Sequence, residues 1–106
     1  IEGSILDSPL VSSLFSDNTF ETCFHLAANI VVQDSIDHPE TVFKNDVAGT
    51  FNILEACRAH GTRLLFMSTC MVYQRSDDWA GITETHATKP VSPYGAFKIA
   101  GEAMAL

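Results

Sequence analysis

Apolar positions along the chain alternate between two spacings, one suited to strands and the other to helices. Ile5 and Leu6 close a short apolar segment that reads as the end of a strand. Asp7-Ser8-Pro9 then offers an N-cap and a first-turn proline. Leu10, Val11, Leu14 and Phe15 follow at helical spacing, which predicts an amphipathic helix broken at Asp17-Asn18. Thr22 to Leu26 is a compact apolar run of strand length. Pro39 can open a helix of about 30 Å that carries Val42, Val47, Phe51, Leu54 and Cys57 on related faces. Gly61, after Arg58 and His60, closes it. Leu64-Leu65-Phe66-Met67 predicts a third strand, covered on both faces. Residues 74–91 are polar and read as a long loop, after which Ser92-Pro93 caps a final helix starting near Tyr94.

Three strands alternating with helices imply an α/β fold with a parallel sheet and right-handed crossovers. Ligands in such sheets sit beyond the C-terminal strand ends. Those ends fall at Ala27-Ala28 and at Ser68-Thr69.

Composition narrows the picture. One domain at most fits 106 residues of 46% hydrophobic content, and no repeat, linker or low-complexity stretch divides them. A net charge of −7 with six Lys and Arg in all argues against nucleic acid, because phosphate backbones need clustered cations. A small phosphorylated cofactor stays possible, since backbone N–H groups can hold a pyrophosphate. Cys23, Cys57 and Cys70 form neither a disulfide framework nor a CxxC motif, and Cys70 is expected to be a buried, inert thiol. No apolar run reaches the roughly 20 residues that cross a bilayer. A soluble, cytoplasmic protein without membrane or nucleic-acid partners is the expectation. The chain starts without Met and stops inside a helical pattern, so it is read as a fragment. His25, His38, His60 and His86 show no metal-ligand spacing, and Ser68 does not sit in a GxSxG elbow.

Tyr94 and Lys98 stand four positions apart, so one helix face brings a cation near a phenol, with Cβ atoms about 5–6 Å apart. An unperturbed phenol ionises near pH 10, and lowering that to about 7 takes roughly 4 kcal/mol of preferential phenolate stabilisation. One ammonium at ~4 Å in an effective dielectric of ~20 supplies about that much before desolvation. A hydroxyl at Thr69, at the end of an apolar strand, adds a hydrogen-bond donor to the same cleft.

Four ordered segments carry a family resemblance: Phe24–Ala28, Gly49–Ala56, Ser68–Tyr73 and Pro90–Lys98. Together they resemble the NAD-dependent epimerase/dehydratase family, the extended short-chain dehydrogenases, most of which act on nucleotide sugars. The resemblance implies a piece of a Rossmann-type doubly wound parallel sheet. Residues 1–106 would form the central part of an NAD(P)-binding domain, without the N-terminal glycine motif and the C-terminal substrate-binding part. It also implies NAD as cofactor, with NADP left open, a nucleotide-sugar substrate and a homodimer of the full-length protein. Within it, Thr69 matches the residue that hydrogen-bonds the reacting hydroxyl, Tyr94 the base, and Lys98 the lysine that holds the nicotinamide ribose. Leu26, Ala27 and Ala28 match the segment lying along the cofactor, and Ser4 and Ile5 the adenine-contacting pair.

Departures from the pattern are informative. Ser4 stands where the family usually has Asp, Asp46 where it has a cofactor-side Asn, and Gln74 where Gly is common. Cys70-Met71 occupies the place of the Asp-Glu pair that 4,6-dehydratases use to eliminate water. Thiol and thioether fill those roles poorly, which favours 4-epimerase or reductase chemistry. A 4,6-dehydratase, an enzyme acting on steroid or flavonoid-like carbonyls and a non-catalytic cofactor-binding sensor are the alternatives. The glycine fingerprint GxxGxxG is absent, and an exposed apolar sheet edge is expected to keep this span alone from folding stably or turning over substrate.

Overall fold

The computed structural model describes residues 1–76 and 81–106. Asp77 and Asp78, part of the predicted long loop, lie outside the described residues. Helix α1 (Ser8–Ser16) starts where its sequence says it should, with the Asp7 carboxylate accepting the Leu10 N–H and Pro9 in the first turn. Strand β1 (Thr22–His25) pairs in parallel with β2 (Arg63–Phe66), in the register Thr22 to Arg63 through His25 to Phe66.

Between the strands run helices α2 (Val32–Asp37) and α3 (Pro39–Phe43), a π-helical turn (Lys44–Gly49) and α4 (Thr50–His60). Residues 39–60 are thus the long helix expected from the sequence, with a π turn inside it. A side-chain bond accompanies the π turn. Thr50 turns its hydroxyl back onto the Asp46 carbonyl at 2.7 Å, so a side chain occupies a place in the backbone ladder. Gly61 ends the helix at φ +66°, a left-handed conformation suited to glycine. Beyond β2 come a 3₁₀ turn (Cys70–Val72) and helix α5 (Pro93–Ala105).

Two of the three predicted strands form among the described residues. Ile5 and Leu6 make a turn instead, because the Asp7 N–H bonds the Ser4 carbonyl at 3.0 Å and the Leu6 N–H bonds the Ser4 hydroxyl at 3.2 Å. Those local bonds cap the entry to α1 and leave no ladder for a strand. Helix α2 was not foreseen: at six residues it is too short to show a period.

The core lies between one face of the sheet and the helices. Val11 and Phe15 of α1 meet Ile53, Ala56 and Cys57 of α4, with Cys23 and Leu64 packed against them from the strands. The opposite face carries Phe24 and Leu65, paired in register and both exposed. Coverage on both faces, expected for β2, is therefore met on one face within this chain. None of the described helices is long and apolar enough to cross a membrane.

Candidate active site

Tyr94 sits in the first turn of α5, and Lys98 follows one turn later; both are buried. Ser92 caps this helix, its hydroxyl accepting the Gly95 N–H at 3.2 Å, as the Ser-Pro pair predicted. The Lys98 ammonium donates to the Met67 carbonyl at 3.1 Å, just past the end of β2. It lies 5.1 Å from the centre of the Phe66 ring and 5.9 Å from that of Tyr94. Cation and phenol ring therefore do share a face, at cation–π range.

Thr69, half-buried, opens the 3₁₀ turn, and its hydroxyl accepts the Met71 N–H at 3.3 Å. Gly95 brings this turn against α5: a Cβ there would stand 2.6 Å from the Met71 carbonyl oxygen, so only glycine permits the approach. The turn begun by Thr69 is thereby packed against the residue next to Tyr94. Further along α5, the Ser68 hydroxyl donates to Glu102. Helix α5 is thus tied to the end of β2 at three levels.

Beneath Lys98 runs a polar seam that the hydrophobic pattern did not announce. Asp46, in the π turn, is 2% exposed; it accepts the Asn29 N–H at 2.7 Å and the Asn45 side-chain amide at 2.9 Å through Oδ1. Its Oδ2 is buried without a hydrogen-bond partner among the described residues. His25 Nε2 lies 2.9 Å from the Thr50 hydroxyl. Because the Thr50 proton is already given to the Asp46 carbonyl, the imidazole must be the donor, carrying its proton on Nε2. Burial holds His25 below its ordinary pKa of 6.5, the charge of Lys98 adds to this, and Asp46 opposes it. Burial likewise lowers Lys98 from 10.5, while the Asp46 carboxylate works to keep it charged.

Of the predicted cofactor-side residues, Leu26, Ala27 and Ala28 follow the C-terminal end of β1, Asp46 lies in the π turn, and Ser4 and Ile5 stand at the turn before α1. Leu26 and Ala27 are exposed and Ala28 half-buried in the irregular segment after β1. The Asp46 carboxylate faces inward and holds that segment through Asn29 instead of presenting itself at the surface. Ser4 and Ile5 line a cavity of about 140 Å³ with Leu10, Leu14 and Ile53. Next to Thr69, Cys70, Met71, Tyr73, Ile82 and Val91 border a cleft of about 330 Å³. Cys70 is exposed there, which corrects the expectation of a buried thiol: it lies well beyond the end of β2 at Phe66, in a turn whose buried member is Val72. No group of three or more metal-ligating side chains occurs among the described residues.

With that geometry in place, comparison with known proteins is direct. The family profile described as GDP-mannose 4,6 dehydratase matches residues 1–106. The chain belongs to the NAD-dependent epimerase/dehydratase family. Among its relatives, a dTDP-glucose 4,6-dehydratase of Mycobacterium tuberculosis is 42% identical over 92% of this chain and 30% of its own length. A UDP-glucose 4-epimerase of Azospirillum brasilense is 33% identical over 98% of this chain and 30% of its own. The crystal structure of Pal from Bacillus thuringiensis superposes with a TM-score of 0.95 at 50% identity, covering 99% of this chain and 34% of Pal. UDP-glucose 4-epimerase from Brucella ovis in complex with NAD gives 0.91 at 32% identity, covering 98% of this chain and 32% of that one. The chain therefore spans about a third of the length of these relatives, and the fold is a partial Rossmann sheet.

Sequence reasoning singled out Thr69, Tyr94 and Lys98 as candidates and passed over Ser35, whose hydroxyl accepts the Tyr94 N–H, and the buried pair of His25 and Thr50. The one available signal was His25 itself, a polar residue at the same strand face as Cys23 in an otherwise apolar run.

Proposed function

We propose that this chain is the catalytic middle of an NAD-dependent nucleotide-sugar oxidoreductase of the 4-epimerase or reductase kind. The single observation that carries the reading is the buried Lys98 ammonium, 5.9 Å from the Tyr94 ring, on a helix packed against the turn that Thr69 opens.

The residues fit a dinucleotide. An ammonium has three N–H donors, so Lys98 has capacity for ribose hydroxyls besides the Met67 carbonyl. Alanines 27 and 28 let a ligand approach the backbone at the end of β1, and Ser4 and Ile5 border an apolar cavity of about 140 Å³. NAD, when bound, supplies the hydride acceptor for a sugar carbon. Tyr94 then takes the proton of the hydroxyl on that carbon, and the Thr69 hydroxyl hydrogen-bonds the same oxygen. Lys98 stabilises the phenolate by its charge. Burial works against that charge and prevails, with Asp46 opposing it in part.

An epimerase or reductase needs no further acid or base. Cys70, exposed, and Met71, whose N–H is given to Thr69, stand where a dehydratase would carry its acid and base, and among the described residues the neighbouring cleft is lined by no carboxylate. A second reading, 4,6-dehydratase, is favoured by the 42% identity to a dTDP-glucose 4,6-dehydratase. The two differ in product: a dehydratase releases a 4-keto-6-deoxy sugar, whereas an epimerase inverts C4 and keeps the C6 hydroxyl.

Tyr94→Phe in the full-length enzyme tests the reading, with UDP-glucose and dTDP-glucose as probes. Turnover should fall by about 100-fold or more while NAD affinity holds. A wild-type protein inert toward both sugars, or a fully active variant, contradicts it and leaves the cofactor-binding sensor.

A further inference from the structure

The backbone donors in the first turn of α5 can be accounted for one by one, which matters because a helix start has no internal partners for them. Pro93 has no N–H. Gly95 donates to the Ser92 hydroxyl at 3.2 Å and Ala96 to the Ser92 carbonyl at 3.1 Å. Both bonds are local and belong to any well-capped helix. The Tyr94 N–H is different: it donates to the Ser35 hydroxyl at 3.1 Å, from 59 residues away in sequence.

Ser35 is 0% exposed in α2, and its own proton goes to the Val32 carbonyl at 2.7 Å. A hydroxyl has one proton, so toward Tyr94 it acts only as an acceptor. Turning it away would strand the buried Tyr94 N–H. Helix α2 in turn follows the Leu26–Ala28 segment directly. Asn29 ties the two together, its N–H bound to Asp46 at 2.7 Å and its amide to Asp34 of α2 at 3.2 Å. A hydrogen-bonded path thus runs from the end of β1, through α2, to the backbone of Tyr94.

We infer that Ser35 is a positioning residue for Tyr94: its hydroxyl fixes the first turn of α5, and with it the phenol, relative to the end of β1. The inference rests on the reading of Tyr94 as the base. Met67 and Ser68 tie α5 to β2 through Lys98 and Glu102, so they leave the setting of the first turn against β1 to Ser35.

The test uses the full-length enzyme and whichever of UDP-glucose and dTDP-glucose the wild type turns over. Ser35→Ala is compared with Phe15→Leu, a change in the apolar core at a residue that lines none of the cavities described. Melting temperature, kcat, KM, NAD affinity and the solvent deuterium isotope effect on kcat are read for each. Ser35→Ala should lower kcat about tenfold and raise the isotope effect, because a displaced phenol slows proton transfer. KM and NAD affinity should stay within about twofold. Phe15→Leu should lower the melting temperature without either kinetic change. A Ser35→Ala enzyme that is merely less heat-stable, with kcat and isotope effect unaltered, overturns the inference. Should Ser35→Ala not fold, Ser35→Cys, whose thiol is a weaker acceptor, takes its place, and wild-type kinetics in that variant overturn the inference equally. Tyr94→Phe is measured alongside. An active Tyr94→Phe defeats the functional reading itself, whereas an inactive one beside an unimpaired Ser35→Ala defeats only the role of Ser35.

Discussion

Two interiors meet in this chain, and they are built on opposite principles. Under α1 and α4, Val11, Phe15, Ile53, Ala56 and Cys57 form a cluster held by apolar burial alone. Under α5, the buried polar positions include His25, Ser35, Asp46, Thr50 and Lys98, each placed by directed hydrogen bonds or charge. The first interior tolerates a change of shape at the cost of stability. The second has a fixed geometry that cannot shift without stranding a polar group, because a buried donor or acceptor without a partner is costly. Tyr94 and Lys98, proposed for chemistry, stand on the second interior, and the helix that carries them is tied to the end of β2 through Met67 and Ser68 and to the turn after it through Met71.

Removing the largest side chain of the apolar interior sharpens the contrast most. Phe15→Ala in the full-length protein should cost about 3–5 kcal/mol in chemical denaturation, through lost burial and the cavity left behind. Turnover per folded molecule should not change. A variant that keeps its stability but loses activity would show that the two interiors are not separate.

A smaller effect distinguishes them by pH. The folded-state pKa of His25 lies below its ordinary 6.5, so as pH falls the unfolded chain takes up that proton first. The stability contributed by neutral His25 is complete above pH 6.5 and is lost as pH drops from there toward the folded-state value. Nothing in the apolar cluster titrates in that range. The slope of unfolding free energy against pH below 6.5 should therefore be shallower in His25→Gln than in the wild type, and equal slopes would break the comparison.

How far the sequence revealed these interiors follows from the reach of the interactions. Asp7 and Ser92 as caps, Gly61 as a helix end and the two strands are set by residues within a few positions, and all were legible. So was the pairing of Tyr94 with Lys98, which helix geometry alone dictates. The turn at Ile5-Leu6 was misread because two hydrogen bonds to Ser4 outweigh the apolar character of a short run. At the π turn Thr50 bonds back to Asp46 while receiving His25, a contact spanning 25 residues. Ser35 reaches Tyr94 over a longer span still, and no local pattern marks it. Cys70 was placed inside because it was read as the end of an apolar strand, yet the chain has already left the sheet at Phe66.

The central claim is that Thr69 and Tyr94 act on one hydroxyl, and a double-mutant cycle in the full-length enzyme tests it most directly. Thr69→Ala, Tyr94→Phe and the double variant would be compared by kcat/KM with the nucleotide sugar that the wild type turns over. If both side chains serve the same proton transfer, the double variant should be no more than about threefold slower than Tyr94→Phe alone. Losses that multiply in full would mean that the two residues work independently, and the single proton-transfer site would have to be abandoned.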